Sequence, residues 1–554
     1  MKTAFKFFGI AIILMVGFTI LGCSEDEPDQ KDTPVTGTWS GLTIPSQNTA
    51  VLHNSFQGRS NVLQVKPGSH WSVLEYSLGS YISTPIYINI SMEVWVNTAT
   101  GVAWQENKTY ELVCGSYTNI TPNQWHTISI NNYTITPAAD QLIYLSREVL
   151  GNNDVYIRNV SIYITQGPLW FKTQGKTIMA HFMPWHEGPT YKSQENNQSA
   201  YGYHWTQVWS KPWLKTGDRA DAATRTYPLT GPYDGKAGHL VRYQVALMKL
   251  AGIDGVLICW YGISNNYDAP FNQTVSQKMV QITEEANQKF AIVLEDWNTA
   301  GGPAPWPNNT SQSNVTWLRN NWFGKSQYLK ASNGQPLLMI FGPQGDLNVP
   351  SRPSLLNDIY FVDLWNFVSW ADSTYPWPTL DMTNYLNSIY NSLKYANSSF
   401  KVGTVWPRFE DCYVENNAGY RYPYIPYNDG ETFRLSWERT IQSNPDVIQI
   451  ATWNDFGEGT VIEPTREYGY NELEFIQAQN KDWDSSFPYT AADLRIPLEF
   501  YKLQYNQTAT AQQNTLIQEA YTALWNGDAA TFRSKALQIL GSLPDTSSLR
   551  PITR

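Results

Sequence analysis

Asp455 and Glu458 are two carboxylic acids three positions apart, in a glycine-containing segment that follows an apolar run. Hydrolysis of a glycosidic bond needs one acid to protonate the leaving oxygen and a second carboxylate to activate the nucleophile or stabilise positive charge. Two neighbouring carboxylates also push their pKa values apart, so that one stays protonated near neutrality. The two acids and their neighbours at the end of the run predict such a pair; the alternative, which the D-x-x-E spacing alone would favour, is a glycine-turn cluster of solvated acids.

Other apolar runs also end in polar and aromatic residues, which we expect to meet the acid pair in one cleft. The candidate substrate-binding residues are Trp185, His186, Trp260, Tyr261, Asp296, Glu410 and Trp453. For the rings the alternative is core packing, and for the two acids it is a structural ion pair. His181 lies within an apolar run and is expected to be a core histidine, and Asp254 is expected to have a structural turn role.

The runs that carry these residues have the near-continuous apolar character of parallel strands buried on both faces. The candidate strands are 177–185, 255–261, 289–297, 336–342, 360–365, 401–409 and 447–455. Amphipathic segments such as 240–251 and 275–286 separate them. The alternation predicts a (β/α)8 barrel over 167–505, with active residues at the carboxyl ends of its strands and the eighth strand unplaced. A helical extension is expected over 506–554.

Short alternating runs bounded by turn residues fill 36–166 and predict an antiparallel β-sandwich. This region resembles the jelly-roll carbohydrate-binding modules that accompany secreted glycosidases. Its tryptophans have two possible roles, a sugar-binding platform or packing in the core. They are Trp39, Trp71, Trp95, Trp104 and Trp125.

The first residues have the pattern of a secretory signal, because Lys2 and Lys6 flank the start of a short apolar run that ends before Cys23. This segment resembles a lipoprotein signal peptide (1–22), with Cys23 as the lipidated residue and 23–35 as a flexible tether. The acidic Ser24-Glu25-Asp26-Glu27 resembles the signal that directs Gram-negative lipoproteins to the outer face of the outer membrane. We therefore expect a surface-exposed outer-membrane protein held only by its lipid; the alternative is a simple signal peptide with an incidental cysteine.

The composition excludes several classes of function. With 48 acidic and 38 basic residues the net charge is −10, which argues against a nucleic-acid partner. The sequence contains no H-E-x-x-H, G-x-S-x-G or phosphate-loop motif and no Cys/His spacing typical of zinc, so neither metal nor cofactor is expected. Cys114, Cys259 and Cys412 are too few for a disulfide scaffold, and Cys259 is expected to be a buried thiol.

The segment 454–460, followed by Ile462-Glu463-Pro464, resembles the signature of glycoside hydrolase families 71 and 99. Other segments similar to this group are His181-Phe182-Met183-Pro184-Trp185, Gly231-Pro232-Tyr233-Asp234, and Ala251-Gly252-Ile253-Asp254-Gly255 leading to Trp260-Tyr261-Gly262. The resemblance implies a barrel that cleaves α-linked glycans, with Glu458 as general acid and Asp455 as the other catalytic carboxylate.

The motif is intermediate between the two families. Family 99 usually has Glu in place of Asp455 and His in place of Gly457, whereas family 71 usually has Ser after the second acid, where Gly459 stands here. Family 99 retains anomeric configuration and family 71 inverts it, so the stereochemistry stays open. The expected function is endo-acting hydrolysis of α-mannan or α-glucan; the alternative is a non-catalytic glycan-binding surface lipoprotein.

Overall fold

The computed structural model describes residues 33–35, 38–66, 72–78, 85–107, 112–113, 116–148, 154–165, 168–413 and 424–544. The expected signal peptide, Cys23 and most of the tether lie outside these residues. The chain forms two compact units that divide between Ile164 and Thr165. Within the described ranges, no helix combines the length and apolar character needed to cross a membrane.

The first unit is a β-sandwich. Its strands are β1 Thr33–Val35, β2 Thr38–Trp39, β3 Leu42–Thr43, β4 Thr49–Phe56, β5 Arg59–Lys66, β6 Ser72–Ser77, β7 Ile86–Val96, β8 Thr100–Glu106, β9 Thr118–Ile120, β10 His126–Ile135, β11 Leu142–Arg147 and β12 Val155–Thr165. One sheet has the order β1-β4-β5-β12-β7-β10 and the other β2-β3-β6-β11-β8-β9. The pairings of β4 with β5 and of β7 with β10 are antiparallel, which confirms the predicted sandwich.

The sandwich core follows from the period of two in its strands. Alternate residues of β7 point inward and are buried: Ile86, Ile88, Ile90, Met92 and Val94. Trp104 is fully buried among them and Trp39 packs against this cluster, so these two tryptophans have the packing role. Trp71 lies outside the described residues.

The second unit contains the predicted barrel. Its strands are β13 Thr177–Phe182, β14 Lys211–Thr216, β15 Arg219–Asp221, β16 Gly255–Trp260, β17 Lys289–Leu294, β18 Leu337–Ile340, β19 Tyr360–Leu364, β20 Ser373–Tyr375, β21 Val402–Val405 and β22 Val447–Ile450. β14 and β15 form an antiparallel hairpin. The other eight form a parallel sheet in the order β20-β19-β18-β17-β16-β13-β22-β21, curled into a nearly closed barrel. All seven predicted strands are present, and β20 is the eighth.

Glycine is required where β16 begins. A Cβ at Gly255 would lie 1.8 Å from the carbonyl oxygen of Lys289, on the neighbouring strand β17. This close approach of two backbones fixes the register in which Gly255 faces Lys289.

The helices are α1 Tyr203–Thr206, α2 Gly238–Ala251, α3 Ala269–Glu285, α4 Ser311–Asn321, α5 Met382–Tyr390, α6 Leu393–Asn397, α7 Glu431–Gln442, α8 Asn471–Trp483, α9 Ile496–Tyr505, α10 Ala511–Trp525 and α11 Ala529–Leu540. The apolar stripe predicted for α2 is buried, including Leu240, Tyr243 and Leu247. Leu524 of α10 and Phe532 of α11 belong to the same buried cluster as the barrel strands. The C-terminal helices are therefore part of the barrel unit's core.

Candidate active site

The loop after β22 brings the two acids together. The backbone N–H of Asp455 donates to Thr452 Oγ1 at 2.8 Å, and the N–H of Thr452 donates to the carbonyl oxygen of Thr460 at 2.9 Å. The N–H of Glu458 donates to Asp455 Oδ1 at 2.9 Å. The carboxylate of Asp455 thus lies against the backbone that carries Glu458, as the D-x-x-E spacing predicts.

The segment after β21 holds this loop from the other side. The N–H of Glu410 donates to the carbonyl oxygen of Glu458, and the N–H of Cys412 to that of Gly457, both at 2.9 Å. Gly459 has φ +70°, and a Cβ there would lie 2.5 Å from the carbonyl oxygen of Glu410. Glycine is therefore needed at this position for the two segments to meet.

The surroundings push the pKa values of the two acids upward by different amounts. Burial raises the pKa of Asp455 to about 6. Burial, and then the charge of Asp455, raise the pKa of Glu458 well above its ordinary value. Glu458 therefore holds its proton near neutrality and Asp455 ionises first, which is the division that acid catalysis with a partner carboxylate needs.

Two cavities lie at the carboxyl end of the barrel. The smaller has a volume of about 380 Å³ and is lined by Glu458 together with aromatic residues such as Trp365 and Trp377. The larger has a volume of about 1160 Å³ and is lined mainly by aromatic rings, among them Tyr261 and Trp306. Glu458 thus faces a space that a ligand can enter.

His204 connects the larger cavity to the acid pair. It lines that cavity, and its Nε2 lies 3.1 Å from Asp268 Oδ2. The ring of Trp185 stacks on it at 4.6 Å between centroids. The charge of His204 opposes the burial effect by lowering the pKa of Asp455, so the two side chains interact electrostatically.

The side chain of Asn454 links the chain after β22 to the chain after β13 through two hydrogen bonds. Its Nδ2 donates to the carbonyl oxygen of Met183 at 3.0 Å, and the N–H of Met183 donates to its Oδ1 at 2.8 Å. His186 Nε2 donates to the carbonyl oxygen of Asn454 at 2.9 Å. His186 is buried and burial lowers its pKa to about 3, so it stays neutral and positions the backbone before Asp455.

Glu463 is a buried acid whose protonation should tie stability to pH. Its Oε2 accepts from the Tyr233 hydroxyl at 2.9 Å and from Gln244 Nε2 at 3.1 Å, and burial raises its pKa to about 8. Because the folded state binds this proton more tightly than the unfolded chain does, stability falls as pH rises from the ordinary pKa of about 4.5 through about 8. We expect Glu463→Gln, whose amide oxygen still accepts, to flatten that part of the Tm-against-pH curve.

Glu519→Gln, an exposed substitution on α10, provides the matched control and should leave the slope of that curve unchanged. A parallel fall of Tm in the parent and in Glu463→Gln would show that the Glu463 proton is not linked to folding.

Three of the predicted substrate-binding residues are buried and do not line either of the two cavities. Trp260 is fully buried, and its Nε1 donates to Gln273 Oε1 at 2.5 Å. Trp453 is also fully buried. Asp296 is fully buried and accepts the backbone N–H groups of Gln344 and Gly345, each at 2.8 Å. The assignment of these residues to a cleft is corrected: the two tryptophans pack the core and Asp296 holds the loop after β18.

The remaining candidates lie close to the acid pair. Tyr261 lines the larger cavity, Trp185 stacks on the histidine that faces it, and Glu410 is bonded through its backbone to Glu458. His181 is a buried histidine whose pKa burial lowers to about 4, as expected for the core. Asp254 accepts from the N–H of Ile178 at 2.8 Å, which is a structural role.

Glu295 is another buried acid, and sequence reasoning did not select it as a site residue. Its Oε1 accepts from the Cys259 thiol at 3.1 Å, burial raises its pKa to about 8, and it adds to the upward shift of the pKa of Glu458. Its position at the end of β17, next to Asp296, was the available signal. The rim residues Tyr203 and Tyr267 were also missed, since they lie in segments without periodicity.

The chain is similar in part to known proteins. No protein-family model matches it. It is 27% identical over 157 residues to an ascus wall endo-1,3-alpha-glucanase of Schizosaccharomyces pombe, an alignment that covers 28% of this chain and 33% of the glucanase. The chain thus spans about a third of the length of this curated relative.

Two solved structures are each similar to part of the chain. A GH99 endo-alpha-mannosidase from Bacteroides thetaiotaomicron has a TM-score of 0.42 and 15% identity, with 57% of this chain and 98% of the mannosidase covered. A family 22 carbohydrate-binding module from Clostridium thermocellum has a TM-score of 0.21 and 14% identity, with 26% of this chain and 96% of the module covered.

Proposed function

We propose that this chain is an endo-acting glycoside hydrolase that cleaves α-linked polysaccharide by carboxylate acid/base catalysis. The observation that carries the proposal is the pair Asp455 and Glu458, held together at the end of a barrel strand with Glu458 lining a cavity. Carboxyl ends of barrel strands are where catalytic residues of this fold lie. The sequence resemblance to families 71 and 99 and the similarity to an endo-1,3-alpha-glucanase support the same function.

In this proposal the two acids have different roles in the reaction. Glu458 enters the reaction protonated and gives its proton to the leaving glycosidic oxygen. Asp455, ionised above its pKa of about 6, is the partner carboxylate that activates the nucleophile and stabilises the positive charge developing on the sugar. His186 and Asn454 position the backbone from which both acids project.

The substrate we test first is α-1,3-glucan, because the curated relative is named for that linkage; α-mannans come second, from the family resemblance. Purified protein is incubated with each polymer, and NMR follows the anomer formed first. Release of new reducing ends is the expected result, and the first anomer tells retention from inversion. Calorimetric binding of a glycan with no reducing-end release over days would instead favour the alternative, a non-catalytic glycan-binding lipoprotein.

We further propose that the protein is anchored to the outer membrane through lipid on Cys23 and exposed at the cell surface. The proposal is supported by the signal pattern that ends at Cys23 and by the acidic residues after it. Expression of the full chain in a Gram-negative host with a labelled fatty acid should place a labelled protein in the membrane fraction, and Cys23→Ser should carry no label. A Cys23→Ser protein that still carries the label would contradict lipid anchoring at this residue.

A further inference from the structure

Two tyrosines at the rim of the larger cavity are largely exposed to solvent. Tyr267 is 85% exposed and Tyr203 is 68% exposed, although both line this cavity. The ring of Tyr267 lies 5.6 Å from that of Trp306, which forms the wall below it. Exposed rings that share the edge of one cavity, unlike apolar residues scattered singly over a surface, are a feature of ligand-binding sites.

The smaller cavity carries a comparable ring. Trp365 is 44% exposed, lines this cavity, and lies 6.0 Å from Phe367, which is 49% exposed. The same cavity contains Glu458. Exposed aromatic rings therefore line both the smaller cavity, which contains Glu458, and the larger cavity.

The order of strands puts the two cavities on opposite sides of the acid pair. The strand that carries the pair, β22, is bonded to β13 on one side and β21 on the other. The larger cavity is lined by segments that follow β13, β16 and β17. The smaller is lined mainly by segments that follow β18 to β21. The acid pair thus lies between the two cavities, on a path that a ligand occupying both can follow.

The backbone at both rims is unusual for bulky residues. Tyr267 has φ +47° and Trp365 has φ +53°, a left-handed region that large side chains rarely adopt. Each chain segment thus presents its ring to solvent in a conformation that costs free energy. Binding of a ligand by the exposed ring explains why the chain keeps this conformation, whereas packing of the ring does not explain it.

The size and chemistry of the larger cavity fit a glycan. Its volume of about 1160 Å³ exceeds the range of roughly 300–1,000 Å³ that is typical of small-molecule sites, so it has room for several sugar residues. Its walls combine flat rings with polar groups such as Asn266, His204 and Asp268. Rings match the apolar faces of pyranoses, and the polar groups match their hydroxyls.

We propose that Tyr267 and Trp365 are distal subsite residues that hold a glycan chain on the two sides of the bond being cleaved. This inference rests on the proposed function and adds to it a requirement for chain length. Neither residue touches the reacting atoms, so each contributes to the capture of long substrates. Cleavage then falls in the interior of the chain, where both subsites are filled.

The test compares Tyr267→Ala and Trp365→Ala with the parent on polymeric α-glycan and on a graded series of its oligosaccharides. We expect the ratio of kcat/KM on polymer to kcat/KM on the shortest cleaved oligosaccharide to fall by about fivefold to tenfold in each variant, the order of one lost aromatic contact. Leu393→Ala is the control, since Leu393 is 81% exposed on α6 and lines neither cavity; it should keep the parent's ratio.

The outcomes separate the two proposals. A parent that cleaves no α-glycan would overturn the proposed function. A parent that cleaves polymer, with Tyr267→Ala and Trp365→Ala keeping its ratio, would overturn the subsites alone. As a second measurement, calorimetry in the Glu458→Gln background should show weaker binding of long oligosaccharides when either ring is removed, and equal binding would also overturn the subsites.

Discussion

Glu458→Gln is expected to lower kcat on polysaccharide by roughly a thousandfold, within the range that positioned acid/base groups contribute. The amide is nearly the same size as the acid but has no proton to give to the leaving oxygen. The cavity that Glu458 lines keeps its shape, so calorimetry should show oligosaccharide affinity close to that of the parent. Loss of turnover with retained binding is the signature of an acid that acts in the transition state.

Glu519→Gln is again the control, because this exposed acid of α10 pairs with Lys535 far along the chain from the acid pair. It should keep the activity of the parent. Equal activity of Glu458→Gln and the parent would remove Glu458 from the acid role. A loss of both turnover and folding, seen as a broadened thermal transition, would assign Glu458 to the structure instead.

Arg408→Met is expected to reduce the free energy of unfolding by about 3 to 5 kcal/mol, the usual cost of leaving one partner of a buried ion pair uncompensated. Arg408 and Glu472 are 1% and 2% exposed, with Nη1 at 2.9 Å from Oε1. Arg408 Nη2 also donates to the carbonyl oxygen of Val461 at 2.6 Å, and the guanidinium lies 3.8 Å from the Tyr468 ring centroid. The substitution therefore leaves the buried carboxyl of Glu472 without its cationic partner. It also removes the hydrogen bond that holds the chain at Val461, just after the acid pair.

The exposed ion pair Arg434–Glu431 offers a comparison in the same unit. Arg434→Met should cost no more than about 1 kcal/mol, because surface pairs contribute little. The double variant Arg408→Met with Glu472→Leu removes both charges and should recover much of the loss. Urea unfolding followed by tryptophan fluorescence measures all three, and an Arg408→Met midpoint equal to that of Arg434→Met would contradict the argument.

The strands were predictable where burial on both faces leaves a long apolar run. β16 and β17 are such runs, and their starts agree with the sequence prediction. β20 was not predictable, because Ser373–Tyr375 is only three residues long and begins with two polar side chains. The predicted carboxyl ends of the strands were too late, as in the predicted 401–409 against the observed Val402–Val405. Hydrogen bonding between the strands stops earlier than predicted, because the chain there turns to form the site.

The proximity of the two acids was predictable from the sequence, whereas the positions of the aromatic residues were less so. Two adjacent positions at a strand end point to opposite sides, and sequence alone did not tell which side faces the acid pair. Glu295 interacts with Glu458, while its neighbour Asp296 turns to the next loop. Trp260 points out of the barrel toward Trp317 for the same reason. Tyr267 lies in a loop, where no periodicity marks a side chain as functional.

The central claim, that Glu458 supplies the proton to the leaving group, is tested most directly by changing that leaving group. The parent and Glu458→Gln are compared on an α-linked oligosaccharide and on the same oligosaccharide with a nitrophenyl group at the bond that is cleaved. A sugar alcohol needs the proton to depart, whereas a nitrophenolate leaves without it. We predict a large rate deficit for Glu458→Gln on the oligosaccharide and a much smaller one on the nitrophenyl glycoside. Equal deficits on the two substrates would contradict the assignment of Glu458 as the general acid.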